Sequence, residues 1–277
     1  MSTRHALLRT GLALGLTAST PVLADALHPK MDAQFFLDAG AYAPSVRTVL
    51  RVDGSEGIGT ELSLEDDLAF EDSPILPTLL LNLRLGERWR IEAEYLPMLR
   101  DQKVVYDGDP LDVGDITIPT GASVAGHFGS DTYRLSAGYS LLKTPHSELG
   151  AVLGVHATEF DLRLAATLVD TSVDERDVLL PLPTMGLYGN HALSPKWLLS
   201  GRVDLFSMDY RQYTGHLLNA SASLDYQFAR HLSLGVGFRR ANLRLEVDET
   251  VDPFSKEFSG RFHYTYSGPT LAVSLMF

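Results

Sequence analysis

The densest chemistry in this chain is acidic. Glu65-Asp66-Asp67 and Glu71-Asp72 crowd carboxylates into one short stretch, and hard oxygen donors of this kind suit Ca²⁺ or Mg²⁺. Glu65, Asp66 and Asp67 are therefore the candidate metal ligands, forming a surface site for a divalent cation. Their spacing is not that of an EF-hand, and no glycine turn separates them. A solvated acidic loop is the competing reading. No organic cofactor is expected, and the absence of cysteine excludes thiolate metal sites and disulfides.

Histidine is the other residue type that could do chemistry. His28, His127, His146, His156, His191, His216, His231 and His263 follow the first 24 residues. A hydrolytic site needs such a base within reach of a nucleophile or a water. None of the eight lies in a local pattern that pairs it with one, so no catalytic residue is assigned. His156, between Gly154 and Thr158, is the one placed on an inward face.

The elements that carry these residues alternate with a period of two, which is the pattern of half-buried strands. Trp89, Ile91, Ala93, Tyr95, Pro97 and Leu99 share one face, opposite Arg90, Glu92 and Glu94. Trp197, Leu199, Gly201, Val203 and Leu205 oppose Ser200, Arg202 and Asp204. Residues 218–228 and 232–239 repeat the arrangement, and no long amphipathic helix interrupts it. A soluble sandwich turns its apolar face inward. Here aromatic residues bracket the apolar faces and the polar faces carry neighbouring opposite charges, the marks of a transmembrane barrel.

Both ends of the chain agree with that fold. Arg4 and Arg9, an uncharged Leu- and Ala-rich run and the ending Val22-Leu23-Ala24 predict a signal peptide over residues 1–24. Residues 25–277 then form the mature domain, with 21 basic and 35 acidic residues and a formal charge of −14. Such acidity argues against nucleic acid as a partner. At the far end, Leu271, Val273, Leu275 and Phe277 form a period-two strand that runs to the last residue.

Connections fall into two kinds. Residues 85–88, 143–148, 193–196 and 228–231 are short, whereas 53–72, 101–115, 170–177 and 246–257 are longer and acidic. Short turns at the end bearing both termini imply an antiparallel barrel of ten strands, with eight and twelve as alternatives. The strands are placed at 34–43, 75–85, 88–106, 120–142, 147–165, 179–193, 196–213, 215–228, 231–248 and 258–277. Beyond Pro44, residues 46–52 either continue the first strand or form an extra hairpin with 59–64. The acidic stretch 53–72 is expected outside the cell, mobile until a divalent cation orders it.

The segment Gly59-Thr60-Glu61-Leu62-Ser63-Leu64-Glu65-Asp66-Asp67-Leu68 resembles one found in small, functionally uncharacterised outer-membrane barrel proteins of proteobacteria. The final Phe277 resembles the terminal residue by which such barrels reach the barrel-assembly machinery. The resemblance implies a Gram-negative outer membrane as location, with lipid and lipopolysaccharide as neighbours, and carries over no catalytic or binding residue.

Predicted inward residues Asp38, Arg84, Arg90, Glu92, Glu94, Arg134, Arg202, Asp204, Asp225 and Arg239 are mixed in sign. A selective pore lines itself with one dominant charge, so a salt-bridged interior and a structural or surface-interaction role are expected, not an enzyme. The alternative is a narrow passive channel for small solutes, weakly cation-preferring because its mouth is acidic. A barrel lipase, deacylase or protease is the enzymatic alternative.

Overall fold

A computed structural model of the chain describes residues 27–53, 60–113, 116–166, 171–210, 213–247 and 260–277. The predicted signal peptide lies outside them. A short helix, α1 (Pro29–Asp32), leads into β1 (Phe35–Tyr42), β2 (Ser45–Val52), β3 (Leu62–Ser63), β4 (Leu76–Leu85) and β5 (Trp89–Leu96). Then come β6 (Leu99–Val105), β7 (Leu111–Val113), β8 (Ile116–Ile118), β9 (Ser123–Lys143) and β10 (Ser147–Ala166). The chain closes with β11 (Thr171–Ser194), β12 (Trp197–Tyr210), β13 (Tyr213–Ala229), β14 (Leu232–Val247) and β15 (Gly260–Met276).

Ten antiparallel staves close into a barrel. β1 and β2 form one stave broken at Pro44, and β5 and β6 another broken at Pro97, each at a residue that has no N–H for the ladder. Beyond Pro97 the ladder resumes through Met98, whose N–H and C=O both bond Ser130. Closure comes from β1 against β15, in register from Phe36–Met276 to Tyr42–Thr270. The same stave continues as β2 beside β15 as far as Val52–Gly260. Hence the first strand does run on past Pro44, and the alternative hairpin survives only as the two-residue β3 against β2. At the other end of the staves, Gly86 (φ 67°) makes the tight turn between β4 and β5, a conformation glycine adopts without a steric penalty.

One stave is longer than expected. The composition of the acidic run 170–177 predicts a loop, yet Thr171 to Val178 belong to β11 and pair with β10. A second difference concerns residues 60–72. The β4 stave is short, so the wall is notched above Leu76 and leaves the edges of β2 and β6 bare. Residues 60–72 fold into this notch rather than projecting from it. Leu64 N–H donates to Thr48 O of β2 and Gln102 of β6 donates to Ala69 O, so the segment joins both edges. Unpaired edges are a hazard that proteins cover.

The polarity of the wall reverses along the barrel axis. In the half near the short turns, outward positions are apolar: Leu149, Leu153 and Val155 of β10, and Leu271, Val273 and Leu275 of β15. Leu153 is 67% exposed. Nearer the loops the parity switches. Glu159, Asp161 and Arg163 then face out while Phe160, Leu162 and Leu164 face in. β14 and β15 switch similarly, with Leu243, Tyr264 and Tyr266 buried inside. Aromatic pairs mark the borders of the apolar belt: Trp89–Tyr139 and Trp197–Tyr226 at its turn-side rim, Tyr95–Tyr133 at its loop-side rim. An outward apolar band flanked by aromatic girdles is what a lipid bilayer selects.

Candidate functional site

The lumen is the one place where the sequence-predicted chemistry converges. All ten residues predicted to point inward do so. Beginning at the turn end, α1 sits in the barrel mouth with Met31 packed on Ala192 and Leu198. Lys30 Nζ lies 3.0 Å from Asp38 Oδ2, 3.0 Å from Asp225 Oδ1 and 2.9 Å from Ser274 Oγ. Three staves thus grip one ammonium group. His28 caps the helix by accepting from the Lys30 backbone N–H.

Also close to the short turns, Arg84 binds Glu148 through two parallel bonds of 3.0 and 2.9 Å, the bidentate geometry that makes a guanidinium–carboxylate pair strong. Glu148 also accepts from Ser140 and Asn190, and Arg90 lies over the Tyr188 ring. Gly150 leaves room for that ring; a Cβ there would overlap it.

At mid-barrel a continuous network follows. Arg202 pairs with Glu92 and Asp204, Arg134 with Asp204 (3.2 Å) and Glu94 (2.9 Å), and Arg239 with Glu94. His156 is buried beside Asn219. Across these layers the cations Lys30, Arg84, Arg90, Arg134, Arg202 and Arg239 match the anions Asp38, Glu92, Glu94, Glu148, Asp204 and Asp225 one for one. Among the described residues the membrane-level lumen is therefore electrically balanced. Burying ions in a low-dielectric wall is costly unless each is paired, and pairing on this scale leaves little free charge to attract a solute. A cavity of about 180 Å³ remains between the Lys30 layer and the mid-barrel network, space for a few waters.

Above the network the lumen is apolar. Phe128, Phe160, Phe262, Tyr264 and Tyr266 form a cluster with centroid separations of 4.9 to 6.3 Å. Leu62, Leu64, Leu68 and Phe70 of the inserted segment close over it. Arg100 of β6 fixes the insert, donating to Glu65 Oε1 at 2.5 Å and to Thr48 at 2.9 Å, while Glu65 Oε2 accepts from Thr48 N–H.

This arrangement decides where the predicted metal ligands stand. Glu65 is buried against Arg100, Asp67 accepts from Ser63 N–H at 2.7 Å, and Asp66 lies outside, 3.2 Å from Arg47. The three carboxylates are committed to three separate partners. Among the described residues, no group of three His, Asp or Glu side chains is placed to hold an ion. The histidines are likewise dispersed. His127 is on the outside of the wall above the belt, with Nδ1 2.6 Å from Asp101 and Nε2 3.4 Å from Asp161.

Sequence reasoning missed Lys30, Glu148 and Arg100. Lys30 precedes the first strand and Glu148 opens one, so neither lay within an alternating run. Arg100 sits just beyond Pro97, where the ladder breaks.

No family model matches the chain, and no curated protein is significantly similar to it. Solved structures are. The outer membrane protease OmpT from Escherichia coli superposes with a TM-score of 0.57 at 12% identity, over 88% of this chain and 96% of that one. The fold is that of an outer-membrane β-barrel. The translocator domain of the autotransporter NalP from Neisseria meningitidis (TM-score 0.45, 12% identity, 88% and 89% covered) is a more distant likeness. So is the Pseudomonas putida toluene transporter TodX (0.37, 11%, 91% and 93%). At these identities the match to OmpT speaks for the fold alone. For this outer-membrane barrel the apolar belt gives the same answer independently: its exposed Leu, Val and Trp side chains require lipid, and only a closed sheet satisfies the backbone there.

Proposed function

We propose that the chain is a closed, non-conducting barrel of the bacterial outer membrane with a structural or surface-contact role. Its short turns face the periplasm and the loops and residues 60–72 face the medium. The reading rests on the lumen: a lysine-anchored helix, a charge-balanced network and an aromatic core with its lid fill it in series. A passive channel needs a continuous wet path, and the space left among Lys30, Arg90, Arg202 and Arg239 amounts to about 180 Å³.

Residues 1–24 act in this reading as the export signal. Phe277, 62% exposed beside His231 at the belt edge, offers an aromatic terminus to the assembly machinery. Swelling of proteoliposomes in small sugars tests the closed state. The expected rate equals that of protein-free vesicles. Swelling that falls with increasing sugar size would return the chain to the passive channels.

A further inference from the structure

Just above the lipid belt the outside of the barrel is electrically two-sided. On β6, β9 and β10 the outward positions carry Asp101, Asp131, Glu159 and Asp161 against Lys103 and Arg163. On β13, β14, β15 and β2 the balance is opposite. Arg47, Arg51, Arg240, Arg244 and Arg261 face outward on neighbouring strands, with Glu246 the acid among them.

Register makes the crowding specific. Arg261 lies directly across from Arg51, and Arg244 lies across from both His216 and His263. Like charges opposite one another weaken a sheet, and strands are only about 4.8 Å apart. Three of the arginines have partial relief: Arg47 at Asp66, Arg51 at Asp53 and Arg261 at Glu246, the last at 4.0 Å. Arg240 and Arg244 have no carboxylate partner among the described residues. His263 is held below the usual imidazole value first by partial burial and then by Arg244 and Arg47.

Position identifies what neutralises the patch. Arg240 follows the lipid-facing Phe238 by one outward step, about 5 Å along the barrel axis for a tilted strand. That puts it at headgroup depth, with Arg244 and Arg47 higher. Beneath Arg240 runs a shallow apolar groove across the lipid face, floored by the cross-strand row Gly189, Gly201 and Ala222 and walled by Leu187 and Phe238. A groove for an acyl chain thus ends at an unpaired guanidinium, and guanidinium forks match phosphate oxygens bidentately.

We propose that the outward face of β13, β14, β15 and β2 binds the phosphorylated headgroup of the outer-leaflet glycolipid, with Arg240 and Arg244 as its principal contacts. The proposal rests on the membrane orientation given above and names a partner for it.

The test uses the full mature barrel in neutral detergent, with bound lipid measured by native mass spectrometry. The probes are bisphosphorylated lipid A, its dephosphorylated form and inorganic phosphate. An Arg240→Gln/Arg244→Gln variant is compared with Lys103→Gln/Arg163→Gln on the acidic side, and heat-modifiable migration shows that both are folded. The wild type and the acidic-side variant are expected to retain bisphosphorylated lipid A about tenfold more tightly than the Arg240/Arg244 variant, a difference of about 1.4 kcal/mol. Binding should also lift the His263 pKa by offsetting the nearby guanidiniums. Equal retention by both variants overturns the proposal, as does equal binding of the dephosphorylated lipid. Displacement of the lipid by millimolar phosphate would mark a free-anion site and overturn it too. A barrel that fails to enter lipid at all contradicts the membrane reading instead, which separates the two failures.

Discussion

Lys30 and Asp225 stand 195 residues apart in the chain and 3.0 Å apart at the turn-side mouth of the barrel. The contact ties the segment before β1 to the far wall, and Asp38 completes the grip. Replacing Lys30 with Ala leaves the buried Asp225 and the half-buried Asp38 without their cation, a loss of about 3–5 kcal/mol. The expected outcome is a lower unfolding temperature and rapid proteolysis of residues 27–33 in detergent. A Lys30→Met/Asp225→Asn variant should recover much of the loss, because fewer charges are stranded.

Acid should loosen the same helix. His28 is fully buried and accepts a backbone hydrogen bond, so its docked form is neutral. Burial holds its pKa below the free value of 6.5, against the pull of Asp225 and with the help of Lys30. A depressed histidine favours docking above 6.5, and that contribution is lost as the pH falls below it, because only the undocked ring takes up the proton. Proteolysis of residues 27–33 should therefore accelerate from pH 7.5 to pH 5. His28→Asn, which retains a cap, should flatten the dependence, and an unchanged rate in the wild type would contradict this role.

The lid has its own lock. Glu65→Ala strands the Arg100 guanidinium against the aromatic core and removes the acceptor for Thr48 N–H. The cost expected is about 3–5 kcal/mol, felt mainly as external protease access to residues 60–72. Should Glu65→Ala leave that segment as resistant as before, its anchoring lies in Leu62, Leu64, Leu68 and Phe70 alone.

Reversal of polarity along β10 gives a paired test. Leu153→Arg puts a charge in mid-belt and should cost about 2–4 kcal/mol of membrane stability. Glu159→Arg, three outward steps higher, should be nearly neutral. Folded fractions from urea titration in lipid vesicles measure both, and equal effects would place the belt wrongly.

Much of this was legible in the residues. Period-two alternation placed ten staves, and the same parity put Asp38, Arg90, Glu94, Asp204 and the other charges inside. What escaped was the change of phase. On β10 the apolar residues leave odd positions after Ala157 and resume on even ones at Phe160, because the stave passes from lipid into water. A template with one fixed apolar face cannot see that switch. The inward turn of 60–72 escaped on different grounds. It follows from a notch left by the short β4 stave, a property of neighbouring strands rather than of the segment. The carboxylates at Glu65, Asp66 and Asp67 gave no hint that each would find its own partner.

Single-channel recording in planar bilayers tests the central claim most directly. Residues 25–277, reconstituted in 1 M KCl and shown to be inserted, should leave the bilayer at its bare conductance across ±100 mV. Deleting residues 27–33 should not open it, since the mid-barrel network and the aromatic core still stand in the way. Steady, protein-dependent conductance steps from the intact chain would contradict the account of a filled lumen.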